Sequence, residues 1–301
     1  MERRIFIKAS GLVLAGGLSG LHSYAKPFSE DIKLTILHTN DMHSRIEPFP
    51  KGSGRNAGAG GAARRATLIK QIRKEVDNVL LLDAGDIFQG TPYFNFFGGE
   101  LEMKLMSEMG YDAATMGNHD FDLGIEGFVK QLPHANFPFL VANYQFDDPV
   151  LKKEIAPYKI FKKAGLKIGV FGLGIELEGL VPDKLYKGTV YQDPIAIGKE
   201  MTAELKRKKC DLIICLSHLG NAYREDKISD QDLAKQVPGL DLIIGGHTHT
   251  FLDKPTELIG PENKKVLVNQ VGWAGLRLGR IDYKFSPEKS LKNASGRALA
   301  V

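Results

Sequence analysis

The chain has 301 residues, 43% of them hydrophobic and 25% charged, which is enough for one large domain or two small ones with a proper core and excludes wholesale disorder. Charges of both signs are interspersed and sum to only +4, too even a balance for a dedicated nucleic-acid binder, so no nucleic-acid partner is expected. Cys210 and Cys215 are the only cysteines and cannot build a thiolate cluster, so any metal must be held by nitrogen and oxygen ligands.

In chain order, Arg3-Arg4-Ile5-Phe6-Ile7-Lys8 precedes a mildly apolar stretch from Ala9 to Leu21, and Ser23-Tyr24-Ala25 then supplies the small residues a signal peptidase reads. The apolar run is too short to span a bilayer, so no transmembrane anchor is expected. It resembles a twin-arginine signal over residues 1–25, which implies a periplasmic or otherwise exported protein.

After that segment, short apolar runs alternate with amphipathic ones, the pattern of an α/β or α+β domain. Strands are expected at 33–38, 79–83, 113–116, 139–142, 167–172, 212–216, 242–244, 266–269 and 278–285. Several are apolar on both faces, so cover on both sides is expected, from helices or a second sheet. Helical periodicity is clearest at 62–76, 100–109 and 195–209, with a weaker helix at 231–236. The Gly-rich stretch 48–61 reads as a loop. Cys210 and Cys215 fall in one apolar run at an odd spacing, which makes them poor partners for a disulfide. With no repeat and no long linker, one domain over 26–285 is the economical count, and the small, polar residues 286–301 are expected to fray or form a tail.

Metal-type residues follow the strands in a pattern. Asp41 and His43 follow the first strand, Asp86 the second, Asn118 and His119 the third, His218 the run 212–216, and His247 and His249 the run 242–244 through Gly245-Gly246. Five strands thus release oxygen or imidazole groups past their C-terminal ends, where α/β sheets place ligand crevices. Alternate residues of an extended segment point the same way, so Asp41 with His43, and His247 with His249, are read as pairs facing one site. The glycines beside Asp86, Asn118 and His247 let the backbone turn sharply there. Each signal alone is weak, because a lone strand-end histidine is more often a hydrogen-bonded structural residue; the full set in order is not. His38 is read as a core or supporting residue, Arg64-Arg65 as a solvated basic face rather than a phosphate contact, and His134 as a turn residue with no metal-type partner.

Asp41-Met42-His43, Gly85-Asp86, Gly117-Asn118-His119-Asp120, His218 and Gly246-His247-Thr248-His249 resemble the five signature blocks of the calcineurin-like metallophosphoesterases. Leu37-His38-Thr39-Asn40-Asp41 and Gly117-Asn118-His119-Asp120-Phe121-Asp122 are similar, more narrowly, to the bacterial 5'-nucleotidase and UDP-sugar hydrolase family, and the resemblance runs over residues 33–285. It implies an α/β fold, a four-layer αββα sandwich of two mixed β-sheets flanked by helices. It also implies that Asp41, His43 and His249 hold one divalent ion and Asn118, His218 and His247 another, with Asp86 bridging. Zinc, manganese, iron and cobalt all suit such ligands. Two carboxylates against a pair of divalent ions leave a net positive site that attracts a phosphate dianion. By the same resemblance a water bridging the ions attacks phosphorus in a small-molecule phosphate ester, a nucleotide for the nearest relatives. His119, oriented by Asp122, would serve the leaving group; Asp120, the competing partner, falls outside that dyad.

The pattern departs from those relatives at His249, where the best-known periplasmic 5'-nucleotidases carry glutamine. The family normally continues into a second, nucleoside-gripping domain beyond the length seen here, which leaves two expectations: a separate partner chain carries such a domain, or the enzyme accepts small or varied phosphate esters without it. Two other functions stay open at this stage: a manganese thiosulfate-ester hydrolase of sulfur oxidation, and a metal-stabilised interaction subunit without turnover.

Overall fold

The computed structural model describes residues 30–301, so the export segment expected over residues 1–25 lies outside the described residues. Two mixed sheets carry the molecule. In the first, β1 (Ile32–Thr39), β2 (Val79–Asp83) and the two-residue β3 (Ala113–Ala114) run parallel. β12 (Arg277–Phe285) and β13 (Leu291–Ala300) extend this sheet antiparallel on the far side of β1. In the second, β6 (Leu166–Leu173), β8 (Leu212–Ser217), β9 (Leu242–Gly245) and β11 (Lys265–Asn269) are parallel. Its edges are the antiparallel strands β5 (Tyr158–Lys163) and β10 (Thr256–Ile259). A small ladder of β4 (Tyr144–Phe146) with β7 (Thr189–Tyr191) stands apart.

Apolar residues on both faces of the central strands dictate the layering. Leu34 and Ile36 of β1 with Leu80 and Leu82 of β2 meet Ile168, Val170, Ile214 and Ile244 of the second sheet in one solvent-free seam. The intervening Leu37 and Leu81 point the other way, onto α1 (Ala62–Glu75), α3 (Glu100–Met109) and α4 (Gly124–Gln131) through Ile69, Ile72, Met103, Met106 and Phe128. On the opposite side Ile213, Cys215 and Ile243 pack against Met201 and Leu205 of α6 (Pro194–Arg207) and Leu233 of α7 (Asp230–Gln236). The result is the four-layer αββα sandwich that the resemblance implies. Each such side chain contributes roughly 1.5–3 kcal/mol on burial.

Local chemistry sets the helix boundaries. Asp193 accepts from the backbone N–H of Ala196 at 2.6 Å, with Pro194 opening α6, and Ser229 with Asp232 forms a capping box at the start of α7. Asp148 caps the six-residue α5 (Pro149–Glu154), while α2 (Pro92–Phe97) ends at Gly98 with φ 60°. Helices α2 and α5, of six residues each, are too short for a clear amphipathic period, and in α4 the glycines Gly124 and Gly127 weaken the helical signal. No helix among the described residues is long and apolar enough to cross a membrane.

Two expectations are corrected. Residues 139–142 form no ladder: Leu140 N–H donates to Ala114 O in the first sheet and Ala142 N–H to Gly172 O in the second, so this apolar run is a crossing between sheets. Residues 286–301 do not fray, because Leu291–Ala300 pairs along nearly all of β12. Polarity misleads here: an edge strand with a solvated face needs backbone partners more than apolar side chains. Val301 closes the register, donating to Leu276 O and accepting from Gly60 N–H.

Candidate metal centre

All five ligand-bearing strands of the sequence reading end at one edge of the sandwich, and their loops are laced together by backbone bonds. Asp41 N–H donates to Gly85 O at 2.9 Å, His43 N–H to Asp86 O at 3.0 Å and Ala274 N–H to Asp41 O at 2.7 Å. The lacing forces unusual backbone. Asp41, His43, Asp86, His247 and His249 all lie at positive φ, between 48° and 70°. Each such residue costs roughly 1–3 kcal/mol, held by the packed strands beneath. The x-spaced pairs are therefore not extended, as the alternation argument assumed; His247 and His249 even part company, one to each side of the centre. Gly117 and Gly246 matter for space: a Cβ on Gly117 would lie 2.2 Å from Asp86 Oδ1, and one on Gly246 2.7 Å from His218 Nδ1.

The candidate ligands gather in two groups. Asp41, His43 and His249 place a donor atom each within 4.8 Å of one another, and Asp86, His218 and His247 do the same. Asn118 Oδ1 lies 2.8 Å from His247 Nδ1, which adds it to the second group. Asp86 faces both: its Oδ2 is 3.1 Å from His218 Nε2 and 3.9 Å from His43 Nε2.

The chemistry of these atoms fits divalent cations. His218 is fully buried and its Nδ1 donates to Ala84 O at 2.6 Å, so Nε2 presents its lone pair to the centre, where it has no hydrogen bond. His43 Nε2 and His249 Nε2 stand 2.9 Å apart, with Asp41 Oδ1 3.4 Å from the latter. Imidazole nitrogens and a carboxylate oxygen turned on one another need either a shared proton or a cation among them. Burial opposes charge on Asp86, but His218, with His43 and His119, holds its carboxyl well below the usual carboxylate range. Burial likewise opposes charge on His218, and Asp86 overcomes it, raising the imidazole above its ordinary value, so that a proton and a cation compete for the one lone pair of Nε2. Nitrogen and oxygen donors of this mix suit zinc, manganese, iron or cobalt.

His119 stands beside the groups without joining either. Its Nδ1 is 3.0 Å from Asp122 Oδ2, and its ring centroid is 5.3 Å from that of His43. The hydrogen bond to Asp122 raises the His119 pKa above its ordinary value, against burial. Asp120 turns the other way, into the interior.

Other sequence readings fare unevenly. His38 is a core residue, its Nε2 2.8 Å from Asn269 Nδ2. Arg64 is solvated and donates to Gly58 O, but Arg65 is buried beside Met42 and Gly275, so the pair is not one basic face. Supporting residues missed by the sequence reading include Asn40, which donates to Asp41 Oδ2 at 2.6 Å, and Gln270, which donates to Gly246 O at 2.5 Å. Trp273 was missed too; it lies parallel to His249 with centroids 5.8 Å apart. A signal existed for two of them: the expected strand 266–269 ends at the same edge, just before Gln270 and Trp273.

Comparison with known proteins places this geometry. Residues 34–251 match the calcineurin-like phosphoesterase family. The 5'-nucleotidase of Vibrio cholerae serotype O1 is 37% identical over 282 residues, covering 84% of this chain and 49% of that one. The snake venom 5'-nucleotidase of Gloydius brevicauda is 35% identical over 287 residues, covering 89% and 48%. Among solved structures, the 5'-nucleotidase precursor from Thermus thermophilus superposes with a TM-score of 0.81 at 34% identity, over 90% of this chain and 55% of that one. The chain thus spans about half the length of the relatives it matches.

Proposed function

The chain belongs to the calcineurin-like phosphoesterase family, and on that premise we propose that it is a dimetal hydrolase of phosphate monoesters, with nucleotides as the first substrates to test. The observation that carries this reading is the position of Asp86, whose carboxylate faces both ligand groups. Asp41, His43 and His249 would hold one ion, and Asn118, His218 and His247 the other, with Asp86 shared. Divalent ions held there would supply Lewis acidity toward phosphoryl oxygens and acidify water for attack.

The protein's own groups perform the rest. Ala84 O fixes the proton of His218 on Nδ1, leaving Nε2 for the centre. Asp41 is braced from outside the ligand set, its Oδ2 taking the Asn40 amide. His119 Nδ1 is committed to Asp122, so Nε2 is the atom that hands a proton to the departing oxygen. The raised His119 pKa favours the protonated form that this role requires.

The test is turnover by the purified full chain, with manganese or zinc, read as phosphate released from nucleoside monophosphates and diphosphates, as ring-opened monoester from a cyclic diester, and as sulfate released from a protein-bound thiosulfonate. Release from the monophosphates is expected. Turnover confined to the thiosulfonate would sink the phosphoesterase reading in favour of thiosulfate-ester hydrolysis, and a metal-loaded protein inert on every substrate would leave an interaction subunit. Export is a second part of the proposal, supported by Arg3-Arg4, the apolar stretch and Ser23-Tyr24-Ala25. Protein recovered from the periplasm should then begin at Lys26.

A further inference from the structure

Asp120 is one of the buried carboxylates, with Asp83, Asp230 and Glu102, that the proposed chemistry leaves without a task, and it lies nearest the proposed proton donor in the chain. It sits one residue from His119 in a 3-10 turn, yet it points away from the ligand groups. Both of its oxygens are fully used. Oδ2 accepts from the backbone N–H of Gly117 at 2.8 Å and of Asp86 at 3.1 Å. Oδ1 accepts from Ile87 N–H at 3.0 Å and Phe88 N–H at 3.2 Å. None of these four amides belongs to a helix or strand ladder, so without Asp120 they would be buried donors lacking acceptors.

The distribution of those bonds is what gives them meaning. Gly117 precedes Asn118, while Asp86 to Phe88 form the loop beyond β2, so a single oxygen ties the loop bearing the shared carboxylate to the loop bearing Asn118 and His119. Asp86 Oδ1 returns the link by accepting from His119 N–H at 2.8 Å. The two loops are locked to one another through side chains rather than through a ladder.

We propose that Asp120 is a positioning residue, a latch that holds the Asp86 and Asn118 loops at the separation the two ion sites need. The latch is preorganised: it is complete among protein atoms alone. This inference rests on the dimetal reading for its purpose but not for its geometry. Only a carboxylate can fill the role, because an amide offers one oxygen where two are used and turns its own N–H donors onto backbone donors.

The test joins two measurements that fail separately. In the wild-type protein stripped with chelator, hydrogen exchange should find the amides of Asp86, Ile87, Phe88 and Gly117 protected, although they lie outside regular structure; free exchange at these four positions overturns the latch. Manganese titration of D120N by calorimetry should then give affinity weaker by about 10- to 100-fold, the usual cost of losing a group that orients ligands, with circular dichroism unchanged. D122N, which touches none of the four amides, should bind manganese like the wild type. Equal manganese affinity in D120N and wild type overturns the latch. A wild type that binds no manganese overturns the dimetal reading instead, and the exchange result still decides the latch. Should D120N fail to fold, the wild-type exchange pattern decides alone.

Discussion

The two sheets bring unlike chemistry to the shared edge. The first releases both carboxylates, the amide and one imidazole, Asp41, Asp86, Asn118 and His43, together with the His119–Asp122 pair. The second releases imidazoles alone, His218, His247 and His249. Neither ligand group lies within one sheet: Asp41 and His43 need His249, and Asp86 needs His218 and His247. The centre is therefore a property of how the sheets dock, and the solvent-free seam between them is as much a part of it as the ligands. The His119–Asp122 pair, to which the proton transfer is assigned as a proposal, is by contrast built wholly on the first sheet and should answer to different perturbations.

The sharpest way to break this contrast compares Asp86→Ala with His119→Ala. Asp86 faces both groups, so its loss should abolish turnover and lower the metal content measured by atomic emission. His119→Ala should reduce kcat by about 10²- to 10⁴-fold with metal content intact, as expected for an acid that stands outside the ligand groups. Metal lost from the His119 variant would erase the distinction between the two regions. Next in size is metal removal. If ions clamp the sheets together, chelation should lower the unfolding free energy by about 4 kcal/mol for each ion present at a thousand times its Kd. Identical denaturation curves with and without chelator would show that docking owes nothing to the ions.

Much of this was legible in the residues, and the reasons differ by region. The strands β2, β6, β8, β9 and β11 declare themselves because burial on both faces makes them largely apolar runs, and β12 because its buried residues alternate with polar ones. The side chains that gather in the two groups declare themselves because oxygen and imidazole side chains recur immediately after those runs. What pairs each loop with its neighbour does not, since the bonds run from the backbone amides of Asp86, Val271 and Thr250 to the side-chain oxygens of Asp120, Asn40 and Gln270, whose residue types are common and whose partners lie far along the chain. The left-handed backbone of Asp41, His43, Asp86, His247 and His249 was equally hidden, because tertiary lacing rather than local propensity imposes it. β13 escaped notice for a third reason: its exposed face left no apolar period to read.

Smaller effects come from the seam itself. Gly279 of β12 stands opposite His38 of β1 in the ladder, and a Cβ there would come within 2.0 Å of His38 Nε2. Gly279→Ala should therefore cost about 1–3 kcal/mol in chemical denaturation, the usual penalty for overfilling a packed interior. Because the wedge enters between the sheets, manganese affinity should fall with stability. Full affinity in a destabilised variant would uncouple seam from centre.

His38 provides the last and finest probe, because it bridges the sheets through Asn269 and is wholly buried. Burial lowers its pKa from 6.5 to about 3. Below pH 6.5 the unfolded chain takes up a proton that the folded protein refuses, so stability is complete above that value and is lost as pH falls toward 3. At pH 5 the loss should be about 2 kcal/mol, from roughly 1.4 kcal/mol per pH unit. His38→Gln removes the titrating group, so its stability should fall less between pH 7 and pH 5 than that of the wild type, with chelator in both samples so that metal release does not contribute. Equal slopes would mean that the imidazole is reached by water in the native state, and that the seam joining the two sheets opens far more readily than its packing implies.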